Sequence, residues 1–167
     1  MSWLSRILGY VSAEERRGIS LKPPFWKAGP VRDLTIFLRA LIHFIPSGSI
    51  LYLEGGTPTK EILAFLENHT AEKTQKLALG TIWPIPKIFH VPITQESLES
   101  LAKLTEKRAT PEAAIHLHVY KGDRILLEWY DAFFDYPFYI TKEIPEEKVK
   151  DFCDKLNTKY EDATENV

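Results

Sequence analysis

The chain of 167 residues has one cysteine, one methionine and no apolar run long enough to cross a bilayer. A single cysteine excludes an intramolecular disulfide and a multi-cysteine metal site. Cys153 shares a helical stripe with Val149, Phe152 and Leu156, which predicts a small core residue and not a nucleophile. Because disulfides and a spanning segment are both lacking, we expect a cytoplasmic protein without a transmembrane segment.

The sequence also lacks a basic excess, since 21 Lys and Arg residues stand against 23 Asp and Glu residues. Proteins that bind nucleic acids normally carry net positive charge, so we expect no nucleic-acid partner. The charge is uneven along the chain: residues 1–127 hold 16 basic and 12 acidic side chains, and residues 128–167 hold 5 and 11. The acidic C-terminal quarter favours a partner of positive charge.

The chain is predicted to form a single domain over residues 1–167. Residues 1–30 comprise an N-terminal helix and a proline-rich connector, residues 31–160 the core, and residues 161–167 a polar tail. Within residues 1–11, the apolar positions fall on one helical stripe: Trp3, Leu4, Ile7, Leu8 and Val11. We expect this stripe to dock onto the domain or onto another subunit, with contact to a membrane surface as the alternative.

Apolar spacing in the core predicts helices that alternate with short strands. Asp33 and Thr94 are expected to cap two of the helices. Strands are predicted at residues 49–54 and 138–141 and within residues 77–93. Three prolines in this last region indicate either an edge strand or two short strands joined by a turn at residues 83–86. The predicted fold class is α+β, a two-layer sandwich. Its sheet is mixed or mainly antiparallel, with a C-terminal hairpin or meander, and helices pack against it.

Residues 113–135 are predicted to contain a β-hairpin, because apolar and polar side chains alternate on both sides of Gly122. A three-residue loop is expected, with Gly122 in the left-handed conformation of a G1 bulge. This register buries one face, on which Leu117 pairs with Ile125, and Ile115 with Leu127. The other face is expected to be more exposed to solvent. On it, His118 lies opposite Arg124 and His116 opposite Leu126, with Glu128 nearby.

The candidate ligand-binding residues of the hairpin are His116, His118, Arg124 and Glu128. Arg124 and protonated histidines are donors that could hold an anion. Two histidines on one strand face also match a metal site, but Arg124 opposite His118 would repel a cation, so no metal is predicted. The alternative is a polar face that makes only ordinary cross-strand pairs.

A second candidate for anion binding is the turn Gly55, Gly56 and Thr57, between a predicted strand and a predicted helix. Thr57 is expected to cap the helix and Pro58 to occupy its first turn. Free backbone N–H groups at a helix N-terminus bind phosphate or carboxylate groups. The spacing matches neither the P-loop nor the dinucleotide fingerprint, so no cofactor is predicted. A tight turn followed by a helix cap explains the same residues.

Seven aromatic side chains and three carboxylates are crowded into residues 128–139. One strand face cannot bury all seven rings, so several are expected to be exposed. Exposed aromatic side chains with a polar rim mark interaction surfaces. The predicted partner surface consists of Tyr130, Asp131, Phe133, Phe134, Asp135 and Tyr136.

Taken together, these patterns favour a binding or regulatory protein that is not an enzyme. It is expected to act through the acidic and aromatic surface, on a protein partner or on a second copy of itself. The alternative is a small enzyme or a ligand-binding protein that uses the hairpin face. The sequence contains no catalytic motif that would indicate an enzyme, so no catalytic residues are assigned.

Overall fold

The computed structural model describes residues 17–108 and 112–164, and these residues form seven strands and four helices. In chain order the elements are β1 (Phe25–Gly29), α1 (Leu34–Phe44), β2 (Ile50–Glu54), α2 (Lys60–His69), β3 (Ile88–Pro92), α3 (Gln95–Thr105), β4 (His116–Lys121), β5 (Arg124–Trp129), β6 (Phe138–Thr141), α4 (Glu146–Lys155) and β7 (Lys159–Ala163).

The strands form one sheet in the order β3-β2-β4-β5-β6-β1-β7, and neighbouring strands are antiparallel. The helices pack against the sheet over a core that includes Phe37, Leu51, Leu117 and Trp129. The predicted α+β sandwich with a mainly antiparallel sheet is confirmed. In the part of the chain that the structure describes, no helix combines the length and the apolar content that crossing a bilayer requires.

Local signals in the sequence position the helices. Asp33 caps α1 and Thr94 caps α3, as predicted, and each accepts a hydrogen bond from a backbone N–H of the first turn. α2 begins later than expected, because Thr59 and not Thr57 accepts the capping hydrogen bond. Burial raises the pKa of the Cys153 thiol on α4 to about 12, which agrees with a core role.

Two strands lie where no strand was expected. β1 occupies the predicted connector, and β7 spans the end of the predicted core and the start of the predicted tail. Pro23, Pro24 and Pro30 flank β1 and do not interrupt it. No backbone N–H donor within β1 is therefore missing from its ladders to β6 and β7. Of the predicted strand region 77–93, only β3 is a strand. The predicted helix over residues 1–11 lies outside the described residues.

The sheet face opposite the helices is covered by two irregular stretches, the covering segments (residues 17–24 and 71–87). A parallel bridge between Ile19 and Leu77 joins them. Leu21 and Leu77 are buried in a second, smaller apolar cluster on this face. Both faces of the sheet are therefore packed, one against helices and the other against chain without regular structure.

The β4–β5 hairpin forms, but its loop is shorter than predicted. The loop has two residues, Gly122 and Asp123, so that Lys121 lies opposite Arg124. Gly122 has the expected left-handed backbone, with φ of 59°. The irregularity predicted at the loop occurs instead within the ladder, next to Val119, where the register shifts by one residue.

The predicted register of the hairpin is therefore wrong. The pairs that do not form are Leu117 with Ile125, Ile115 with Leu127, His116 with Leu126, and His118 with Arg124. Instead, Leu117 lies opposite Trp129, and His118 lies opposite Glu128. The expectation that the histidine face is wetter is also wrong, since His118 is only 1% exposed beneath the covering segments.

Candidate functional site

The acidic-aromatic turn (residues 131–136), between β5 and β6, has an unusual backbone. Asp131, Phe133 and Asp135 have φ of 45°, 71° and 64°, in the left-handed region that favours glycine. Each such residue costs on the order of 1 kcal/mol and persists only where the surrounding structure holds it. Because backbone strain of this kind is concentrated at functional sites, the turn is a candidate for one.

The turn exposes two aromatic rings from a fixed base. Phe134 and Tyr136 are 50% and 56% exposed, whereas Ala132 between the strained residues is buried. Phe133 is half-buried, and its ring centroid lies 4.2 Å from that of Trp129. The indole N–H of Trp129 also donates a hydrogen bond to the Tyr136 carbonyl oxygen at 3.1 Å. The core residue Trp129 therefore anchors the turn at two points.

A surface cavity of about 490 Å³ borders the turn at Asp135. Its lining contains both signs of charge, including Lys27, Lys159 and Glu161. Asp135 pairs with Arg32 at 2.9 Å, and Glu161 pairs with Lys27 at 3.1 Å. Exposed ion pairs contribute at most about 1 kcal/mol, so these charges exchange readily for those of a bound partner.

A second group of polar residues, the buried polar face, lies beneath the covering segments: Tyr52, Glu54, His116, His118, Glu128 and Tyr130. Nδ1 of His118 accepts a hydrogen bond from the Trp129 N–H at 3.1 Å, and Nδ1 of His116 accepts one from the Asp131 N–H at 2.9 Å. An accepting Nδ1 fixes the neutral tautomer, with the proton on Nε2. A Cβ at Gly80 would lie 2.5 Å from the His116 ring, so the close approach of the covering segment requires glycine.

Two buried carboxylates attach the covering segments to the sheet. Glu54 accepts hydrogen bonds from the backbone N–H groups of Gly80, at 3.2 Å, and Thr81, at 2.6 Å. Glu128 accepts one from the N–H of Leu21 at 3.4 Å. These bonds satisfy buried groups on both sides and hold irregular chain in one position.

Burial shifts the pKa values on this face. Desolvation lowers the pKa of His118 to about 3, and repulsion from His116 acts in the same direction. Desolvation also lowers the pKa of His116, against the opposite effect of Glu54 and Asp131. The pKa of Glu128 is raised by burial, although hydrogen bonds to it partly offset this. Both histidines are therefore neutral at pH 7, which agrees with the tautomer that their hydrogen bonds require.

The structure separates the residues of the predicted anion site. The two hairpin histidines and Glu128 meet on the buried polar face, but Arg124 does not join them. Arg124 lies opposite Lys121 at the exposed end of the hairpin and pairs with Glu143 at 2.9 Å. The predicted arginine fork beside His118 is wrong, because the two-residue loop places Arg124 at the far end of β5.

The turn Gly55, Gly56 and Thr57 lies between β2 and α2, outside the buried polar face. Both glycines have left-handed φ values, 74° and 87°, so the turn itself accounts for them. The N–H of Gly55 donates to the Lys87 carbonyl oxygen at 3.0 Å and is not free for an anion. The glycines border a separate cavity of about 340 Å³, which Ile85 also lines.

Sequence reasoning missed Tyr52 and Glu54 as neighbours of the hairpin histidines. A signal was present in β2, where Tyr52 and Glu54 alternate with Leu51 and Leu53 and so occupy the second face. A carboxylate within an otherwise apolar strand indicates that the face it occupies is not empty. Placing it beside the histidines also requires the strand order, since β2 pairs with β4 across more than 60 residues of sequence.

Within residues 17–108 and 112–164, no group of three or more His, Cys, Asp and Glu side chains is arranged to hold a metal ion. No family model matches the chain, and neither a curated protein nor a solved structure is significantly similar to it. Function is therefore inferred from the geometry of the acidic-aromatic turn and of the surfaces around it.

Proposed function

We propose that this protein is a binding protein, not an enzyme, which holds a basic segment of a protein partner on its acidic-aromatic turn. The alternation of left-handed residues carries the proposal, because it keeps Phe134 and Tyr136 exposed on a base fixed by Trp129. Rigid aromatic side chains are the groups on which binding energy concentrates at interfaces. The adjoining cavity of about 490 Å³ offers room for side chains of the partner.

The charge of the turn supports a basic partner. Asp131 precedes the two exposed rings and Asp135 lies between them, and residues 128–167 hold 11 acidic and 5 basic side chains. Among the ion pairs of the described residues, Asp131 approaches only His116, at 4.0 Å from Nδ1, and burial keeps that ring neutral. The negative charge of Asp131 is therefore available to a lysine or arginine of the partner.

The geometry supports binding at the turn more strongly than catalysis on the hairpin face, the alternative that the sequence left open. The hairpin histidines and Glu128 are buried, and Nδ1 of each histidine and one carboxylate oxygen of Glu128 already accept backbone N–H groups. Nε2 of His118 has no hydrogen-bond partner among the described residues, but it is enclosed. The two cavities that border covering segment 71–87 are lined by other residues. A substrate could reach the hairpin face only if that segment were displaced.

Replacing Phe134 and Tyr136 together with serine is expected to weaken partner binding by at least about tenfold. The melting temperature should hardly change, because both rings are half exposed. Phe133→Ser, by contrast, should lower the melting temperature, because that ring packs against Trp129. The binding measurement is a selection of displayed random peptides on the wild-type protein, followed by affinity measurements on the variants.

The control is Ile82→Ser, which removes a side chain of similar exposure, 47%, from a covering segment. This variant should bind the selected peptides as the wild type does. We expect the selection to enrich peptides with lysine and arginine next to apolar residues. Asp131→Asn should lower the affinity for those peptides. Failure to enrich any peptide, enrichment of acidic peptides, or equal binding to the double serine variant would contradict the proposal.

A further inference from the structure

A cavity of about 390 Å³ lies between the strands β2 and β3 and covering segment 71–87. Four of its lining residues are aliphatic: Leu77, Leu79, Ile85 and Ile88. Tyr52 and His90 contribute aromatic surface from the strands, with their ring centroids 5.3 Å apart. This size, with a mainly apolar wall and few polar groups, is typical of sites for small molecules.

The ring of His90, which lines this cavity, carries a hydrogen-bond donor. Its Nδ1 lies 2.9 Å from the Tyr120 hydroxyl oxygen. Burial raises the pKa of Tyr120, so its hydroxyl keeps its proton at pH 7 and can donate it to Nδ1 of His90. Because burial lowers the pKa of His90, the ring is neutral and its single proton is on Nε2.

We propose that this cavity binds an apolar small molecule that ends in a hydrogen-bond-accepting oxygen group, a carboxylate above all. The apolar body lies against the four aliphatic side chains, and the oxygen accepts from Nε2 of His90. In the described part of the chain, no protein hydrogen bond occupies this N–H. The site is separate from the acidic-aromatic turn, and either can fail without the other.

The test compares phenylbutyrate with phenylbutylamine, which share an apolar body and differ in the sign of the head group. Affinities are measured by saturation-transfer NMR titrations of the full-length protein. We expect saturable binding of phenylbutyrate, about tenfold tighter than that of the amine, because only the carboxylate accepts the His90 hydrogen bond. The absence of saturable binding, or equal affinity for the two probes, would overturn the proposal.

Variants at His90 test the donor itself. His90→Phe keeps an aromatic ring without a donor and should abolish the preference for phenylbutyrate, whereas His90→Gln keeps an N–H donor and should retain it. The matched control is His43→Phe, at an exposed histidine on α1. If His90→Phe does not fold, Ile85→Ser serves as the second variant, because this side chain is 60% exposed. It should lower the affinity for both probes equally. An unchanged preference in folded His90→Phe, or unchanged affinities in Ile85→Ser, would show that the probes bind elsewhere.

Discussion

Lowering the pH from about 7.5 to about 5 is expected to reduce the free energy of unfolding by about 2 kcal/mol through His118 alone. Burial and the neighbouring His116 lower the folded-state pKa of His118 to about 3. In the unfolded chain a histidine titrates near about 6.5, so the unfolded state binds a proton that the folded state does not. The stabilisation is present above about pH 6.5 and is lost progressively as the pH falls toward 3.

Other buried groups alter the size of this loss. Burial also lowers the pKa values of His116 and His90, so these two groups likewise reduce the free energy of unfolding as the pH falls. Burial raises the pKa of Glu128, and this contribution is present at low pH and lost as the pH rises. Because three histidines act in one direction and one carboxyl group in the other, the free energy of unfolding should fall on acidification.

Urea unfolding at several pH values measures this effect. His118→Asn keeps an acceptor for the Trp129 N–H but does not titrate. On acidification, the unfolding of this variant should therefore take up about one proton fewer than that of the wild type, and its free energy of unfolding should fall less. The matched control, His43→Asn, removes an exposed histidine and should keep the wild-type dependence. A wild-type protein that is as stable at about pH 5 as at about pH 7.5 would show that these histidines are not held neutral.

Leu117→Ala is expected to lower the free energy of unfolding by about 2–5 kcal/mol, and His118→Ala by on the order of 2–4 kcal/mol. Leu117 is fully buried on the helix side of the sheet. His118 is equally buried on the other side, where its loss leaves the Trp129 N–H without an acceptor in addition to a cavity. Two adjacent residues on opposite faces should therefore both be costly.

Arg124→Ala at the exposed end of the same hairpin is the control for these substitutions. Arg124 makes a surface ion pair with Glu143, which is worth at most about 1 kcal/mol. Urea unfolding of the three variants separates the faces. A cost for His118→Ala as small as that of Arg124→Ala would mean that the covering segments do not pack on the sheet in solution.

The hairpin shows how far sequence patterns reach. Alternation predicted both strands, and the glycine predicted the left-handed residue of the loop, since these are local properties. The register failed because it was chosen so that only one face would be buried. The irregular stretches that cover the second face have no periodicity of their own, so the one local sign of them was the carboxylate of Glu54 within the apolar strand β2. The buried carboxylates that hold them, Glu54 and Glu128, become partners only through the strand order.

The acidic-aromatic turn shows a similar limit. Crowding of aromatic residues predicted that several rings are exposed, and Phe134 and Tyr136 are exposed. Neighbouring Phe133 cannot be distinguished from Phe134 by sequence, because the left-handed backbone that separates them depends on packing against Trp129. Tyr130 likewise packs against the hairpin histidines, with its ring centroid 4.7 Å from that of His118, and belongs to the buried polar face.

The binding role of the acidic-aromatic turn is tested most directly by an NMR chemical-shift map of the wild-type protein with the basic peptide that the selection enriches most. The account predicts that the largest shifts fall on the backbone amides of residues 131–136 and on Arg32 and Lys27 beside the adjoining cavity, with little change in residues 71–87. Largest shifts at residues 71–87, or small shifts spread over the whole sheet, would contradict it.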